Sequence, residues 1–119
     1  MAAIVKHLAL EQGAVYRLRL IPMHAGVPLD LTGCTARMQV RDDSGALLDE
    51  LSTANGRLAL GGVTGTVDLC FPATVTALMR AERGVYDLEI EPPSGAGDTW
   101  KLARGRVKVI PEITRAAAP

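Results

Sequence analysis

His7 and His24 are the only histidines, and neither stands at a spacing that lets a second ligand share a metal with it. Both read as surface residues. Asp42, Asp43, Asp49 and Glu50 flank one turn and could in principle surround a calcium ion. They lack the alternating D-x-D-x-D-G ladder that wraps such a cation, so a solvated acidic turn is the better reading. Ser44, Ser52 and Ser94 lie among turn-forming residues with no nucleophile elbow around them. The run Gly61-Gly62-Val63-Thr64-Gly65 has the glycines of a phosphate cradle but no following Lys-Ser or Lys-Thr, and reads as a hairpin turn. Cys34 shares the parity of inward residues and Cys70 that of outward ones, which predicts free thiols facing different ways. No catalytic residue, metal or cofactor is expected.

Arginine gives the strongest signal. Arg17, Arg19, Arg37 and Arg41 project from two stretches that could be neighbouring strands, forming a basic stripe on one outer face. Two readings stay open. The stripe is either a solvated face whose charges balance Asp87, Glu89 and Glu91 on the other sheet, or a docking surface for an acidic partner, where Arg favours bidentate carboxylate contacts.

The elements that would carry these residues are strands. From Cys34 to Arg41 the chain alternates, with Ala36, Met38 and Val40 on one side and Thr35, Arg37, Gln39 and Arg41 on the other. That is the period of a strand with one face in a core. It opens after the turn Asp30-Leu31-Thr32-Gly33 and closes at Asp42-Asp43-Ser44-Gly45. Earlier, Tyr16, Leu18 and Leu20 alternate with Arg17 and Arg19 until Pro22; Met23 to Pro28 is then a loop with Ala25-Gly26 at its tip. Ala46 to Leu51 returns as the second arm of a hairpin, and Asn55-Gly56 predicts another hairpin leading to Leu58 and Leu60. Val67, Leu69 and Phe71 form the next inward set.

One short helix is predicted over residues 73–82, capped by Thr74, with Val75, Leu78 and Met79 at helical spacing. Tyr86, Leu88 and Ile90 then face inward on a strand that pairs with Thr99 to Ile110 across a loose loop. Parity along that last strand switches near Arg104-Gly105, predicting a β-bulge there. Lys101, Arg106 and Lys108 are expected across from the acidic trio.

The resulting expectation is an all-β chain: an immunoglobulin-like antiparallel β-sandwich of seven to eight strands. Residues 1–11 are either an edge strand or an arm that docks on a neighbour through Ile4 and Leu8. Residues 12–113 form the sandwich, and 114–119 an Ala-rich mobile tail.

Composition narrows the function. Thirteen basic and thirteen acidic residues give zero net charge, which lacks the field of a nucleic-acid binder. No apolar run reaches the length of a membrane span and no secretory signal opens the chain, so synthesis in a cytoplasm is expected. Phe71, Trp100, Tyr16 and Tyr86 are too few rings for a sugar-stacking surface. Near-neutrality favours self-association.

Residues 11–114 resemble a family of small proteins and domains from tailed bacteriophages and prophages. The resembling segments are Val15-Tyr16-Arg17-Leu18-Arg19-Leu20, Gly26-Val27-Pro28-Leu29-Asp30-Leu31-Thr32-Gly33 and Thr35-Ala36-Arg37-Met38-Gln39-Val40-Arg41. Later come Gly65-Thr66-Val67-Asp68-Leu69, Gly84-Val85-Tyr86-Asp87-Leu88-Glu89-Ile90, and Gly105-Arg106-Val107-Lys108-Val109 with Pro111-Glu112. Their order is similar to the immunoglobulin-like N-terminal domain of phage baseplate upper proteins and tail-fibre adaptors. Two departures stand out: Cys34 replaces the family's usual aromatic, and with the sequence reaching Pro119 without a fibre-shaft pattern, a free-standing module is expected.

The resemblance implies a non-enzymatic virion protein, an adaptor at the tail, baseplate or fibre attachment, made in the host bacterium and assembled with copies of itself and other phage proteins. A capsid decoration protein cementing the phage head is the alternative. A carbohydrate-binding module is the third.

Overall fold

The structure is a computed structural model and describes residues 3–80 and 82–114. In chain order it forms β1 (Ile4–Val5), β2 (Leu8–Glu11), β3 (Tyr16–Leu20), β4 (Met23–His24), β5 (Val27–Pro28), β6 (Thr35–Asp42) and β7 (Leu47–Ser52). After these come β8 (Leu58–Leu60), β9 (Val67–Phe71), a one-turn helix α1 (Ala73–Thr76), β10 (Arg83–Glu91) and β11 (Trp100–Ile110).

Two sheets face each other. The larger has the order β7-β6-β10-β11, with β1 and β2 following one another along the far side of β11. The smaller has the order β8-β9-β3, and β4-β5 is a separate ribbon. Alternation explains the layering. Met38, Val40, Tyr86, Leu88, Ile90 and Val107 point from the larger sheet into one buried cluster with Leu58, Val67, Leu69 and Phe71 of the smaller. Counting β1 and β2 as one interrupted edge gives eight strands in two layers with the pairing of an immunoglobulin-like sandwich. Tyr86 lies in β10 two residues before Leu88, and both side chains are buried in the core.

The N-terminal segment is an edge strand, not a detached arm. It pairs parallel to β11, Ile4 opposite Ala103 and Leu8 opposite Val107, so the sandwich is not wholly antiparallel. Leu8 is 2% exposed and Leu10 is fully buried, which removes Leu8 from any docking surface. Ile4 is half-buried and packs against the same core.

The edge breaks at Lys6-His7, where three bonds replace the ladder. Lys6 N–H donates to Arg104 O (2.9 Å), Arg106 N–H donates to His7 Nδ1 (3.0 Å), and Tyr86 O–H donates to Lys6 O (2.6 Å). Tyr86 lies directly opposite Gly105, and the missing side chain there lets the Lys6 carbonyl approach.

Burial pushes the Tyr86 phenol up to about 12, with Tyr16 adding to the rise. A phenol whose folded pKa exceeds its unfolded value near 10 stabilises the fold fully below pH 10, and that contribution is lost as pH rises from about 10 to 12. After solvent screening the loss should be roughly 1–2 kcal/mol. Urea titrations across this window should show it, whereas Tyr86→Phe should lose less stability there, keeping only the part due to the raised Tyr16 phenol and Lys101 ammonium, and should be weaker by about 1 kcal/mol at neutral pH. Identical alkaline profiles for both proteins would refute the assignment.

Four local expectations need correction. Asn55-Gly56 does not close a hairpin: β7 pairs with β6 while β8 pairs with β9, so this turn carries the chain between sheets. The irregularity in β11 lies at Leu102-Ala103, both buried, because Leu88 faces Ala103 and Glu89 already faces Lys101. Gly105 answers instead to the Lys6 carbonyl.

The helix spans only Ala73–Thr76 and is preceded by Pro72 rather than capped by Thr74. Leu78 is exposed, so tertiary support comes from Val75, Thr76 and Met79, too little to sustain a longer helix. Thr76 Oγ1 accepts from Gly13 N–H (3.1 Å) and donates to Ala14 O (2.9 Å), tying α1 to the start of β3. Finally, only Lys101 of the expected basic trio meets the acidic one, through Glu89 (2.8 Å) and Asp87 (3.2 Å); Arg106 and Lys108 lie opposite Val85 and Arg83. The tail expected at 114–119 lies outside the described residues beyond Thr114.

Candidate interaction surfaces

The residues with chemical potential are dispersed and engaged. His7 is held by Arg106, and His24 rides on the exposed β4-β5 ribbon. Asp42 accepts from Ser44 Oγ (2.7 Å) and from Ala46 N–H (3.0 Å), bonds that hold its carboxyl below the usual range. Asp43 pairs with Arg83 (3.2 Å), Asp49 with Arg57, and Glu50 accepts from Gln39 Nε2 (3.0 Å). The four acids therefore diverge, and no group of three or more His, Cys, Asp or Glu among the described residues could hold a metal ion.

Gly61 to Gly65 forms a 3₁₀ turn, and its Gly62 carbonyl accepts from Leu31 N–H (2.9 Å). Burial, and then the negative charge of Asp30, push the Cys34 thiol up, the opposite of what an activated nucleophile needs.

The arginines do not form one stripe. Arg17 and Arg19 are on β3 of the smaller sheet, Arg37 and Arg41 on β6 of the larger, so they lie on opposite outer faces. Alternation shows which residues point outward but not which sheet a strand joins. The acidic trio shares the larger sheet with Arg37 and Arg41, not the opposite one. Arg37 stands between Glu50 (3.6 Å) and Glu89 (3.9 Å), while Arg41 donates to Gln39 Oε1 (2.7 Å) and Gly45 O (2.9 Å). On that face Arg37 is ion-paired, and Arg41 is engaged by neutral acceptors. On the smaller sheet Arg19 makes a bidentate pair with Asp68 (2.6 and 2.9 Å), and Arg17 makes no ion pair among the described residues.

A second surface went unnoticed in the sequence. The β3–β6 connection, the β8–β9 turn and the β10–β11 loop share one end of the sandwich: Leu31 bonds Gly62, Gly65 abuts Leu29 and Pro28, and Gly33 abuts Pro93. The ribbon there turns at Ala25 and Gly26, both at positive φ, as a two-residue primed turn demands. Ile21 (47%), Met23 (51%), Val27 (61%) and Val63 (73%) are exposed at this end. They do not share one face: Met23 pairs with Pro28 and Val27 with His24, so Met23 and Val27 project from opposite sides of the ribbon and mark an apolar end rather than a single patch. The usable signal was a loop bounded by Pro22 and Pro28 that carries Met and Val where turn residues are usual.

No protein-family model matches the chain, and no curated protein is similar to it by sequence. Among solved structures it is similar to the extracellular domain of the voltage-gated sodium channel beta4 subunit, described as forming parallel homodimers that explain its role in cell–cell adhesion. The two are 9% identical, with a TM-score of 0.52 over 95% of this chain and 97% of that one. The likeness is one of fold. An immunoglobulin-like domain hosts many functions, so the reading of this one rests on its own surfaces. No helix among the described residues is long and apolar enough to cross a membrane.

Proposed function

We propose that this immunoglobulin-like domain is a non-catalytic module held by neighbouring subunits, serving as an adaptor at the tail, baseplate or fibre attachment of a bacteriophage virion. The observation that carries it is the exposed apolar end, where Ile21, Met23, Val27 and Val63 stand on loops braced against one another rather than in either sheet. Because Met23 and Val27 project from opposite faces of the ribbon, covering all four side chains needs a partner surface that wraps the ribbon, and each buried side chain contributes roughly 1 kcal/mol or more. The phage setting comes from the resembling segments, which fall mainly on β3, β6, β9, β10 and β11. Its partners would be other virion proteins and copies of itself. The sodium channel domain of the same fold is described as a homodimer, and self-association belongs to this reading too.

The test is incorporation. A Met23→Lys, Val63→Lys double variant should unfold like the parent, since both side chains are exposed, yet its occupancy in assembled particles should fall at least about tenfold. Electron microscopy of a labelled parent chain should place the label at the tail. Parental occupancy of the double variant, or label spread over the head, would overturn the proposal.

A further inference from the structure

One backbone edge of the smaller sheet is open. β3 pairs with β9 alone, and no strand among the described residues lies on its other side. The backbone direction follows from two bonds. Cys70 N–H donates to Arg57 O (3.0 Å) and Gly61 N–H donates to Thr66 O (2.8 Å), so residues 66, 68 and 70 turn their backbone groups toward β8. Leu69 and Phe71 then face β3, and their partners Leu18 and Tyr16 face β9. The N–H and C=O groups of Arg17 and Arg19 are left pointing outward. Tyr16 and Leu18, although directed inward, are only partly buried beside this edge.

We infer that the β3 edge accepts an extended segment of a partner protein in which acidic and apolar residues alternate. The reasons are backbone complementarity and charge. Such a segment bonds the outward groups of Arg17 and Arg19, sets its apolar residues over Tyr16 and Leu18, and places a carboxylate beside Arg17. On this outer face Asp68 already neutralises Arg19, so the uncompensated positive charge is Arg17, on the open strand itself. A second copy fits less well. Antiparallel pairing of β3 with β3 about Leu18 sets Arg17 opposite Arg19 twice, and like charges directly opposite are destabilising.

The inference rests on the chain being held by neighbours, but concerns a different surface from the loop end. The probe is a capped synthetic peptide alternating Glu and Val, added to the intact chain. It should bind in the micromolar range and slow amide exchange at Arg17 and Arg19 by at least about tenfold. Tyr16 and Leu18 amides, already in the ladder, should change little.

Arg17→Glu breaks no side-chain bond among the described residues, so the fold should hold. It should weaken binding of this peptide about tenfold or more and favour one alternating Lys and Val. Absence of binding at about 1 mM, protection at other amides, equal affinity of both proteins for both peptides, or a β3-to-β3 dimer of the free chain would each overturn it. A chain that binds the peptide yet never enters particles would sink the virion reading alone; one that enters particles but ignores the peptide would sink this inference alone.

Discussion

Replacing Arg57 with alanine should destabilise the fold by roughly 3 kcal/mol, the cost of leaving a largely buried carboxylate without its cationic partner. Arg57 precedes β8, and its side chain is 18% exposed against 11% for Asp49 on β7. It joins the two sheets. One guanidinium nitrogen donates to Asp49 Oδ1 (2.8 Å) and to Glu50 O (3.2 Å), Nε donates to Cys70 O (3.3 Å), and the group stands 5.7 Å from the centre of the Phe71 ring. Truncation removes all of these contacts and leaves Asp49 with the Glu50 N–H (2.9 Å) but without its cationic partner. For a domain of this size the melting temperature should fall by roughly 10–20 °C. An Asp49→Leu, Arg57→Met double variant should recover most of the loss, because a packed apolar pair needs no compensation. A single variant within about 1 kcal/mol of the parent would show that the clamp contributes little.

Gly105→Ala should cost roughly 2–3 kcal/mol and act mainly at the N-terminal edge. A methyl group at this position would lie 2.1 Å from the Lys6 carbonyl oxygen and 3.2 Å from His7 N. Both are backbone atoms, so no rotamer change relieves the clash. The edge must retreat, which breaks the bond from Tyr86 O–H to Lys6 O and the one from Lys6 N–H to Arg104 O. The expected signature is a lower urea midpoint together with faster tryptic cleavage after Lys6. An unchanged midpoint with unchanged cleavage would mean that the edge tolerates a side chain there.

Much of the layering was legible in the sequence. The alternation through Met38 and Val40, through Val67, Leu69 and Phe71, and through Tyr86, Leu88 and Ile90 put these residues inside, and the structure buries every one. Such alternation is local, however, and says nothing of which sheet a strand joins. That is why Arg17 and Arg37 looked like neighbours, and why Asn55-Gly56 looked like a hairpin when it links two sheets. Asn55 accepts from Ser52 and Arg57 N–H through its own side chain, which makes a turn without pairing the flanking strands.

Gly105 was conspicuous, but its cause lies about a hundred positions away at Lys6, beyond any short window. The Arg57 clamp had one usable trace: Asp49 shares the parity of the buried Leu51, and an acid on an inward face implies a partner. The open edge of β3 had none, since an unpaired side is visible only once every pairing is known.

The exposed loop end and the open β3 edge are the surfaces proposed to be covered in an assembly. Hydroxyl-radical footprinting of the chain, free and within intact particles, tests that most directly. Oxidation of Met23, Val27 and Val63 should drop at least about tenfold in the particle, with a parallel drop at Tyr16 and Leu18. Equal labelling of these residues in both states, or protection confined to the Arg37–Glu89 face of the larger sheet, would contradict it.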